Sequence, residues 1–414
     1  MQIRIHRGTR EIGGSCVEVE HRGASIALDC GLPLNTDDID TVSMPDIPGL
    51  VDDREGCIGA ILSHGHRDHW GLLPRIRSDL PVAMGNATAS ILQAAKMFVP
   101  GGYLPLNRLD LMDGKPLVMG PFTITPRLVD HSAFDSYAIT IDAGGKRLFY
   151  SGDLRGHGRK SALFERLVAA PPPFVDMMIM EGSTIGRLDP GSSFPTETDL
   201  ENEFVDAFTS TRGMALVVCS PQNVDRVVTL YRAARRSNRN LIIDAYAAEI
   251  LRSTARHSIP KVGFPSLKVF LPKWQRFFLV STGIASIVDS YKDHRIWPEN
   301  LKSEAKGTVM LIRPWMIHEL GHLNSLDGSI AIWSQWEGYL RDGKGAEFKT
   351  VCDSHEIPLK LIHTSGHASI PDLQRLAKAV NAERLVPIHT FQRDQFPNLF
   401  DNVTVLDDGE WMEV

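Results

Sequence analysis

The stretch that decides the fold is Ser63-His64-Gly65-His66-Arg67-Asp68-His69-Trp70. It places three imidazoles and one carboxylate within six residues. The apolar run that precedes it, Cys-Ile-Gly-Ala-Ile-Leu at residues 57–62, predicts a buried strand. The ligand-type side chains therefore follow a rigid element directly, where they can be held in a fixed arrangement. Since histidine and aspartate are good ligands for zinc and manganese, the stretch predicts a metal site rather than a polar turn.

The same stretch resembles the signature loop of the metallo-β-lactamase fold. In that superfamily the first two histidines, here His64 and His66, bind one metal. The resemblance implies that Asp68 and His69 bind a second metal. It also implies that further ligands follow in a set order, so the rest of the chain can be searched for them.

Length and composition limit the possible classes of protein. A chain of 414 residues is too long for one ordinary domain, so we expect two. The net charge of −6 neither indicates nor excludes a nucleic-acid partner. No apolar run is long enough to span a membrane, and the first residues alternate like a strand, without a signal-peptide pattern. Five scattered cysteines indicate no disulfide framework, so we predict a cytoplasmic protein with reduced thiols and no membrane partner.

Asp29 lies at the end of an apolar strand, before Gly31. It resembles the first motif of the superfamily, in which this carboxylate orients the metal loop from behind the ligands. The alternative is a simple turn aspartate. The preceding stretch, Arg10-Glu11-Ile12-Gly13-Gly14-Ser15, resembles the opening of the ribonuclease J group.

Two later strands end in further ligand candidates. The predicted strand at 123–130 is followed by His131, which matches the next ligand in order. The strand that follows ends in Tyr150-Ser151-Gly152-Asp153, which resembles the motif whose aspartate bridges both metals. A bridging carboxylate suits two cations that lie roughly 3.5–4 Å apart.

The next buried strand ends in Glu181-Gly182-Ser183-Thr184. This resembles the motif that opens the β-CASP branch of the superfamily, which contains nucleases of DNA and RNA. The extra Gly182 departs from the simplest form of that motif. The resemblance implies that Glu181 lies beside the reaction centre.

Beyond residue 185 the pattern changes to helices that alternate with strands. Helices are predicted at 196–209 and 225–236, and strands at 215–219 and 241–245. This alternation predicts a small parallel sheet, and it resembles the β-CASP domain that is inserted into the lactamase fold. We expect a strand near 329–333 to close it.

Residues 250–288 contain no aspartate or glutamate. Their cations and aromatic residues are interleaved: Arg252, Arg256, Lys261, Lys268, Lys273 and Arg276 with Phe264, Phe270, Trp274, Phe277 and Phe278. Cations for phosphates and rings for bases are the composition expected of a channel for single-stranded nucleic acid. Core aromatics with solvated cations would give the same composition, and the sequence leaves both interpretations open.

A competing motif occurs at His318-Glu319-Leu320-Gly321-His322, which satisfies the zincin protease pattern His-Glu-x-x-His. That chemistry needs a third ligand, and residues 323–328 supply no histidine. We therefore predict a helix of the inserted domain here, not a protease site.

The last two β-CASP motifs are recognisable near the end of the chain. The stretch His363-Thr364-Ser365-Gly366-His367 and the later Pro387-Ile388-His389 resemble them in their ribonuclease J form. By this resemblance His389 completes the second metal site, and His367 lies beside the reaction centre, held by Glu181. His363 and Ser365 would contact a substrate phosphate.

Together these observations predict an α/β fold in two domains. Residues 1–185 and 346–414 form a metallo-β-lactamase αββα sandwich, and residues 186–345 form the inserted β-CASP domain. Ribonuclease J usually continues into a C-terminal domain, and we expect this chain to lack it. The possibility of a homo-oligomer stays open.

The resemblance implies a two-metal hydrolase. One divalent ion is held by His64, His66 and His131, the other by Asp68, His69 and His389, with Asp153 bridging. Zinc is the expected metal and manganese the alternative. The pair lowers the pKa of a shared water, whose hydroxide attacks phosphorus in line. Three residues carry the catalytic roles: Asp68, Glu181 and His367, the last as general acid.

The predicted activity is hydrolysis of RNA phosphodiester bonds, with 5′-to-3′ exonuclease capability. A DNA nuclease of the Artemis type, acting on single-stranded DNA, is the alternative with the same metals. A hydrolase of a small ester is less favoured, because a small substrate does not need a large inserted domain. A nucleic-acid binding module with a structural metal is disfavoured by the bridging carboxylate, since structural zinc sites are closed and rich in cysteine.

Overall fold

The fold is described from a computed structural model for residues 1–99, 102–341 and 343–414. The chain divides into two compact units. Unit 1 comprises Met1–Phe194 and Gly366–Val414, and unit 2 comprises Pro195–Ser365. Within the described residues, no helix combines the length and the apolar character needed to cross a membrane.

The elements follow one another along the chain in three segments. The first segment of unit 1 contains β1 (Gln2–Arg7), β2 (Cys16–His21), β3 (Ala24–Leu28), β4 (Cys57–Ile61), α1 (Arg67–Trp70), β5 (Val82–Gly85), α2 (Asn86–Lys96), β6 (Arg108–Leu111), β7 (Leu117–Met119), β8 (Phe122–Val129), β9 (Ser136–Ala143), β10 (Lys146–Tyr150), α3 (Ser161–Ala169) and β11 (Met177–Glu181). Unit 2 contains α4 (Glu197–Ser210), β12 (Ala215–Val218), α5 (Val224–Arg236), β13 (Asn240–Ile243), α6 (Ala245–Ser253), β14 (Leu267–Phe270), α7 (Lys273–Ser281), α8 (Ser286–Ser290), β15 (Arg295–Ile296), α9 (Pro298–Glu304), β16 (Thr308–Ile312), α10 (Met316–His322), β17 (Ile330–Trp333), α11 (Gly343–Ser354) and β18 (Leu359–Leu361). The second segment of unit 1 contains α12 (Ile370–Val380), β19 (Arg384–Ile388) and β20 (Trp411–Glu413).

Unit 1 is a four-layer sandwich. One sheet has the order β20-β1-β2-β3-β4-β5-β6 and the other the order β19-β11-β10-β9-β8-β7. Apolar side chains from both sheets form one buried cluster between them, for example Ile5, Val19, Ile139 and Ile179. Separate clusters pack α1 and α2 on the outer face of the first sheet, and α3 and α12 on that of the second. The predicted αββα sandwich is confirmed.

Strand direction in unit 1 explains where polar side chains collect. In the first sheet β3 and β4 run parallel, and in the second β10 runs parallel to β11 and β11 to β19. Strand β9 is antiparallel to both β8 and β10, so β8 points the same way as β10. The carboxyl ends of these strands therefore meet at one edge of each sheet, and the residues that follow them can converge.

Unit 2 is built on a parallel sheet with the order β15-β14-β13-β16-β12-β17-β18. Its buried side chains include Ile242, Met310, Ile317 and Trp333. Helix α4 begins with a capping box in which Thr196 accepts from the Asp199 amide and the Asp199 carboxylate accepts from Thr196.

The strand predicted to close this sheet, near 329–333, is β17, but the sheet continues beyond it to β18. The sequence assigned the β18 segment to the returning part of the sandwich, with a boundary at 345/346. The compact units divide instead at 365/366, because Ala331, Ile332 and Trp333 pair with the three residues of β18. The first division falls at 194/195, where the sequence suggested 185/186.

Candidate metal centre

Three histidine nitrogens of unit 1 meet in a small triangle. The Nδ1 atom of His66 lies 3.2 Å from His64 Nε2 and 3.1 Å from His131 Nε2. Nitrogens bound tetrahedrally to zinc at about 2.0–2.1 Å would be roughly 3.3 Å apart, so the spacing fits a shared cation. These three side chains form one group that could hold a metal ion.

Hydrogen bonds behind this triangle fix two of the rings. The Nδ1 atom of His131 donates to the carbonyl of Gly366 at 2.6 Å. The Nδ1 atom of His64 lies 3.0 Å from the Ser63 hydroxyl, which itself donates to Asp29 Oδ2 at 2.8 Å. Because each Nδ1 carries the proton, each Nε2 presents a lone pair to the triangle.

A second group consists of Asp68, His69 and His389. The Oδ2 atom of Asp68 lies 3.8 Å from His69 Nε2 and 3.9 Å from His389 Nε2. Both Nε2 atoms are buried and make no hydrogen bond within the described residues. Because buried polar atoms are seldom left unpaired, these orphaned nitrogens support a cation as their partner.

One oxygen of Asp153 faces both groups. Its Oδ2 atom lies 3.2 Å from His69 Nε2 and 3.7 Å from His389 Nε2. The same atom lies 3.7 Å from His64 Nε2 and 4.0 Å from His131 Nε2. A single buried carboxylate oxygen is thus within reach of both sets of imidazoles, which is the position that a bridging ligand would occupy.

The electrostatics of His64, His66 and His131 suit metal ligands. Burial lowers the pKa of His64 and His131 well below the ordinary histidine value, and lowers the pKa of His66 to about 4. These imidazoles are therefore neutral at pH 7, which is the form that binds metals. Burial acts against ionisation of Asp153, but the neighbouring histidines His389 and His69 hold its pKa well below the usual range.

Asp29 holds the metal loop from behind. Its Oδ1 atom accepts from the Ser63 amide at 2.7 Å. Its Oδ2 atom accepts from His69 Nδ1 and from the Tyr150 hydroxyl, both at 2.8 Å. Asp29 is fully buried, so these bonds fix the His69 ring with Nε2 directed toward Asp153.

The backbone beside Asp68 leaves no room for a side chain. A Cβ atom on Gly31 would lie 1.7 Å from the Asp68 carbonyl oxygen, and one on Gly13 would lie 3.2 Å from Asp68 Cβ. Gly13 also has a φ of +87°, a conformation that L side chains rarely adopt. The close approach of the loop that carries Asp68 therefore explains why positions 13 and 31 are glycines.

Glu181 and His367 form a pair next to this cluster. The His367 Nδ1 atom donates to Glu181 Oε2 at 3.0 Å, and Ser183 Oγ donates to the same oxygen at 2.8 Å. Burial opposes the charge on His367, yet Glu181 and Asp153 raise its pKa to about 9. Glycine is required at position 182, because a Cβ atom there would lie 2.4 Å from the Phe396 ring.

His363 and Ser365, predicted as phosphate contacts, lie at the end of unit 2. Their role stays a prediction. The His-Glu-x-x-His pattern falls on α10, where the Glu319 carboxylate accepts from the Lys273 amide and His318 Nε2 lies 3.3 Å from Glu347. Among the residues that the structure describes, potential metal-binding groups of three or more occur only in the unit 1 cluster.

Three supporting residues escaped the sequence analysis: Ser15, Ser63 and Tyr150. Ser63 and Tyr150 stand inside stretches that drew attention for their neighbours, but nothing in a hydroxyl side chain marks it as a partner of Asp29. The Ser15 Oγ atom lies 3.0 Å from His389 Nδ1 across a separation of 374 residues. Only the folded chain reveals such a contact.

No protein-family model matches this chain. The similar curated proteins include ribonuclease J of Mycobacterium tuberculosis (strain CDC 1551 / Oshkosh), 27% identical over 244 residues. That match spans 56% of this chain and 42% of the mycobacterial protein, so it covers less than half of that relative. Ribonuclease J 2 of Staphylococcus aureus (strain MRSA252) is 23% identical over 400 residues, which span 92% of this chain and 67% of that protein. The resemblance to ribonuclease J that the motifs predicted is confirmed.

A solved structure shares the fold. The crystal structure of a protein of unknown function from Enterococcus faecalis V583 has a TM-score of 0.81 and 20% sequence identity, and 99% of each chain is covered. At this identity the similarity establishes the fold, and the chemistry must be argued from the side chains.

Proposed function

We propose that this chain is a metal-dependent ribonuclease that hydrolyses RNA phosphodiester bonds. The observation that carries the proposal is the position of Asp153 Oδ2, within about 4 Å of imidazole nitrogens from both metal-binding groups. The sequence similarity to proteins named ribonuclease J supports RNA as the substrate.

The donor sets fit two divalent cations, zinc or manganese. His64, His66 and His131 would hold one, Asp68, His69 and His389 the other, and Asp153 would contact both. When bound, the cations supply a water of lowered pKa and positive charge for the phosphoryl oxygens.

The chain's own residues prepare this site. Asp29 engages the Nδ1 proton of His69, so that Nε2 is the nitrogen that faces Asp153 and would bind a cation. The Gly366 carbonyl does the same for His131. Since these acceptors are already in place in the folded chain, ligand geometry costs little reorganisation.

His367 is placed to donate a proton. With its pKa raised to about 9, the ring is protonated at neutral pH, and Glu181 engages its Nδ1 proton. The side chain of His367 is 25% exposed, whereas those of His64 and His131 are fully buried, so His367 can meet a leaving oxygen.

The test uses matched RNA and DNA oligonucleotides that carry either a 5′-monophosphate or a 5′-hydroxyl. Products are followed over time with added Zn²⁺ or Mn²⁺, and Asp153→Asn serves as the inactive control. Stepwise release of mononucleotides from 5′-phosphorylated RNA is expected of a 5′-to-3′ exonuclease. Preference for DNA would move the chain to the Artemis-type alternative, and cleavage that is equal in Asp153→Asn would refute the proposed site.

A further inference from the structure

Helix α7 of unit 2 presents large apolar side chains to solvent. Trp274 is 56% exposed, Phe277 73% and Val280 55%, while Gln275 and Leu279 on the other side of the helix are buried. Soluble proteins seldom leave neighbouring aromatic residues exposed without a reason. We call this surface, with the rings and cations described next, the aromatic face.

The rings of the aromatic face support one another. Trp274 stacks on Phe278 with ring centroids 5.3 Å apart and planes 10° from parallel. Trp315, which precedes α10, meets Trp274 edge-on at 5.8 Å. Because these contacts restrict Trp274, its ring is ordered before any partner arrives, and Phe277 beside it extends freely from the helix.

Cations predominate around these rings, although the Glu319 carboxylate accepts from the Lys273 amide at the start of α7. Two of the six cations in residues 250–288 are neutralised, because Arg252 pairs with Glu249 and Lys268 with Glu304. Arg276 lies on α7 itself and is close to Arg295, whose pKa is lowered by burial and by the Arg276 charge.

Arg295 in turn lies over the exposed ring of Trp297 at 4.0 Å. Its Nε and Nη2 atoms are buried and have no acceptor within the described residues, so no carboxylate neutralises the guanidinium through them. Glu299 offsets the charge in part, but the surface keeps an excess of cations beside stacked rings.

This combination favours one kind of partner. A second copy of the chain, docked through the same surface by twofold symmetry, would bring a second set of the same cations to the interface. Single-stranded nucleic acid supplies what the surface lacks, because its phosphates are anionic and its bases have faces that stack on any exposed ring.

We propose that the aromatic face, with Trp274, Phe277 and Arg276 as its principal contacts and the partly buried Arg295 as a source of positive charge, binds single-stranded RNA by base stacking and phosphate contacts. The choice of RNA over DNA rests on the proposed ribonuclease function. The binding itself requires no cleavage, so the two proposals can fail separately.

The test measures fluorescence anisotropy of a 5′-labelled, phosphorothioate-linked single-stranded RNA that resists hydrolysis, with the full-length, metal-loaded chain. Trp274→Ala combined with Phe277→Ala is expected to weaken binding by about tenfold or more. Phe174→Ala is the matched control, since Phe174 is an exposed aromatic of unit 1, 93% accessible, and should leave affinity unchanged. Arg276→Ala is expected to lower the dependence of log affinity on log salt by about 0.7, as for one lost phosphate contact on a single strand.

Circular dichroism and the metal content of each variant show whether the fold is intact. Affinity of the double variant equal to that of Phe174→Ala would overturn the proposal. So would a change from dimer to monomer in sedimentation with unchanged RNA affinity, which would identify the aromatic face as a contact between copies. If the chain cleaves no RNA but the double variant still binds RNA more weakly, the RNA-binding role of the aromatic face is supported and the proposed ribonuclease function is refuted.

Discussion

Asp29 accepts a hydrogen bond of 2.8 Å from His69 across 40 residues of sequence, and both side chains are fully buried. The carboxylate has no direct place in the ligand groups, yet it decides which nitrogen of His69 carries the proton. Ligand orientation by such an acceptor typically changes metal affinity by about 10–100-fold.

We therefore expect Asp29→Asn to lower the affinity of the site that contains His69 by about 10–100-fold, because the amide is a weaker and ambiguous partner for Nδ1. Titration against a chromophoric chelator measures the effect. Asp142→Asn, which removes a surface carboxylate bonded to Arg147, is the control. Equal affinities in the two variants would show that Asp29 is not a positioning residue.

The two ligand groups should be separable. His131→Ala and His389→Ala are each expected to reduce bound metal by about one ion per chain, since they belong to different groups. Elemental analysis of the purified variants gives the stoichiometry. His322→Ala, in the pattern that resembles a protease motif, should retain all bound metal. A loss of metal from this variant would indicate that the His-Glu-x-x-His pattern binds metal after all.

Gly31→Ala should destabilise unit 1. A methyl group there would lie 1.7 Å from the Asp68 carbonyl oxygen, so the backbone must move, at a cost of about 2–4 kcal/mol. Urea unfolding monitors the change. Gly191→Ala, which meets nothing within 4 Å, is the matched control and should change stability by less than about 0.5 kcal/mol. A stability for Gly31→Ala like that of the control would contradict the close approach.

A buried ion pair stabilises unit 2. Arg226 Nη2 lies 2.9 Å from Glu197 Oε1, and both side chains are inaccessible to solvent. Glu197→Gln leaves the guanidinium without its counter-charge, so we expect a loss of about 3–5 kcal/mol in the free energy of unfolding. The exposed Glu203→Gln should be nearly neutral. The prediction fails if denaturant unfolding does not distinguish these two variants.

Alkaline pH should destabilise the fold through buried thiols. Burial raises the pKa of Cys57 to about 11 and that of Cys219 to about 12, against about 8.5 in the unfolded chain. The folded state keeps these protons longer. Its advantage is therefore complete below about pH 8.5 and is lost as the pH rises toward 11 to 12. Urea midpoints recorded between pH 8 and 11 should fall, and fall less steeply in a Cys57→Ala, Cys219→Ala variant.

The grouping of the candidate ligands could be predicted because the stretches that contain them follow strands with an apolar pattern. Imidazole and carboxylate side chains such as those of His64, His131, Asp153 and His389 are recognisable as possible ligands. That each comes soon after a strand can be read from neighbouring residues in the sequence. The supporting hydroxyls of Ser15 and Tyr150 could not be found in this way, because their partners are distant in sequence and a hydroxyl suits many environments.

The position of the second unit boundary has a different basis. Strand β18 has only three residues, two of them exposed, so its hydrophobic pattern does not say which sheet it joins. Its parallel pairing with β17 is set by tertiary packing and not by its own sequence. The sequence also left the aromatic residues of 250–288 ambiguous, and the structure divides them: Phe270 is buried, whereas Trp274 and Phe277 are exposed.

The insertion of unit 2 between the ligands has a consequence for biosynthesis. His64, His66 and His131 all precede Pro195 in the chain, but the carbonyl that holds the His131 ring belongs to Gly366, which follows unit 2. His389 follows Ser365, and its group must wait until the whole of unit 2 has been translated. A nascent chain would thus lack a complete centre of either group until its synthesis was nearly finished.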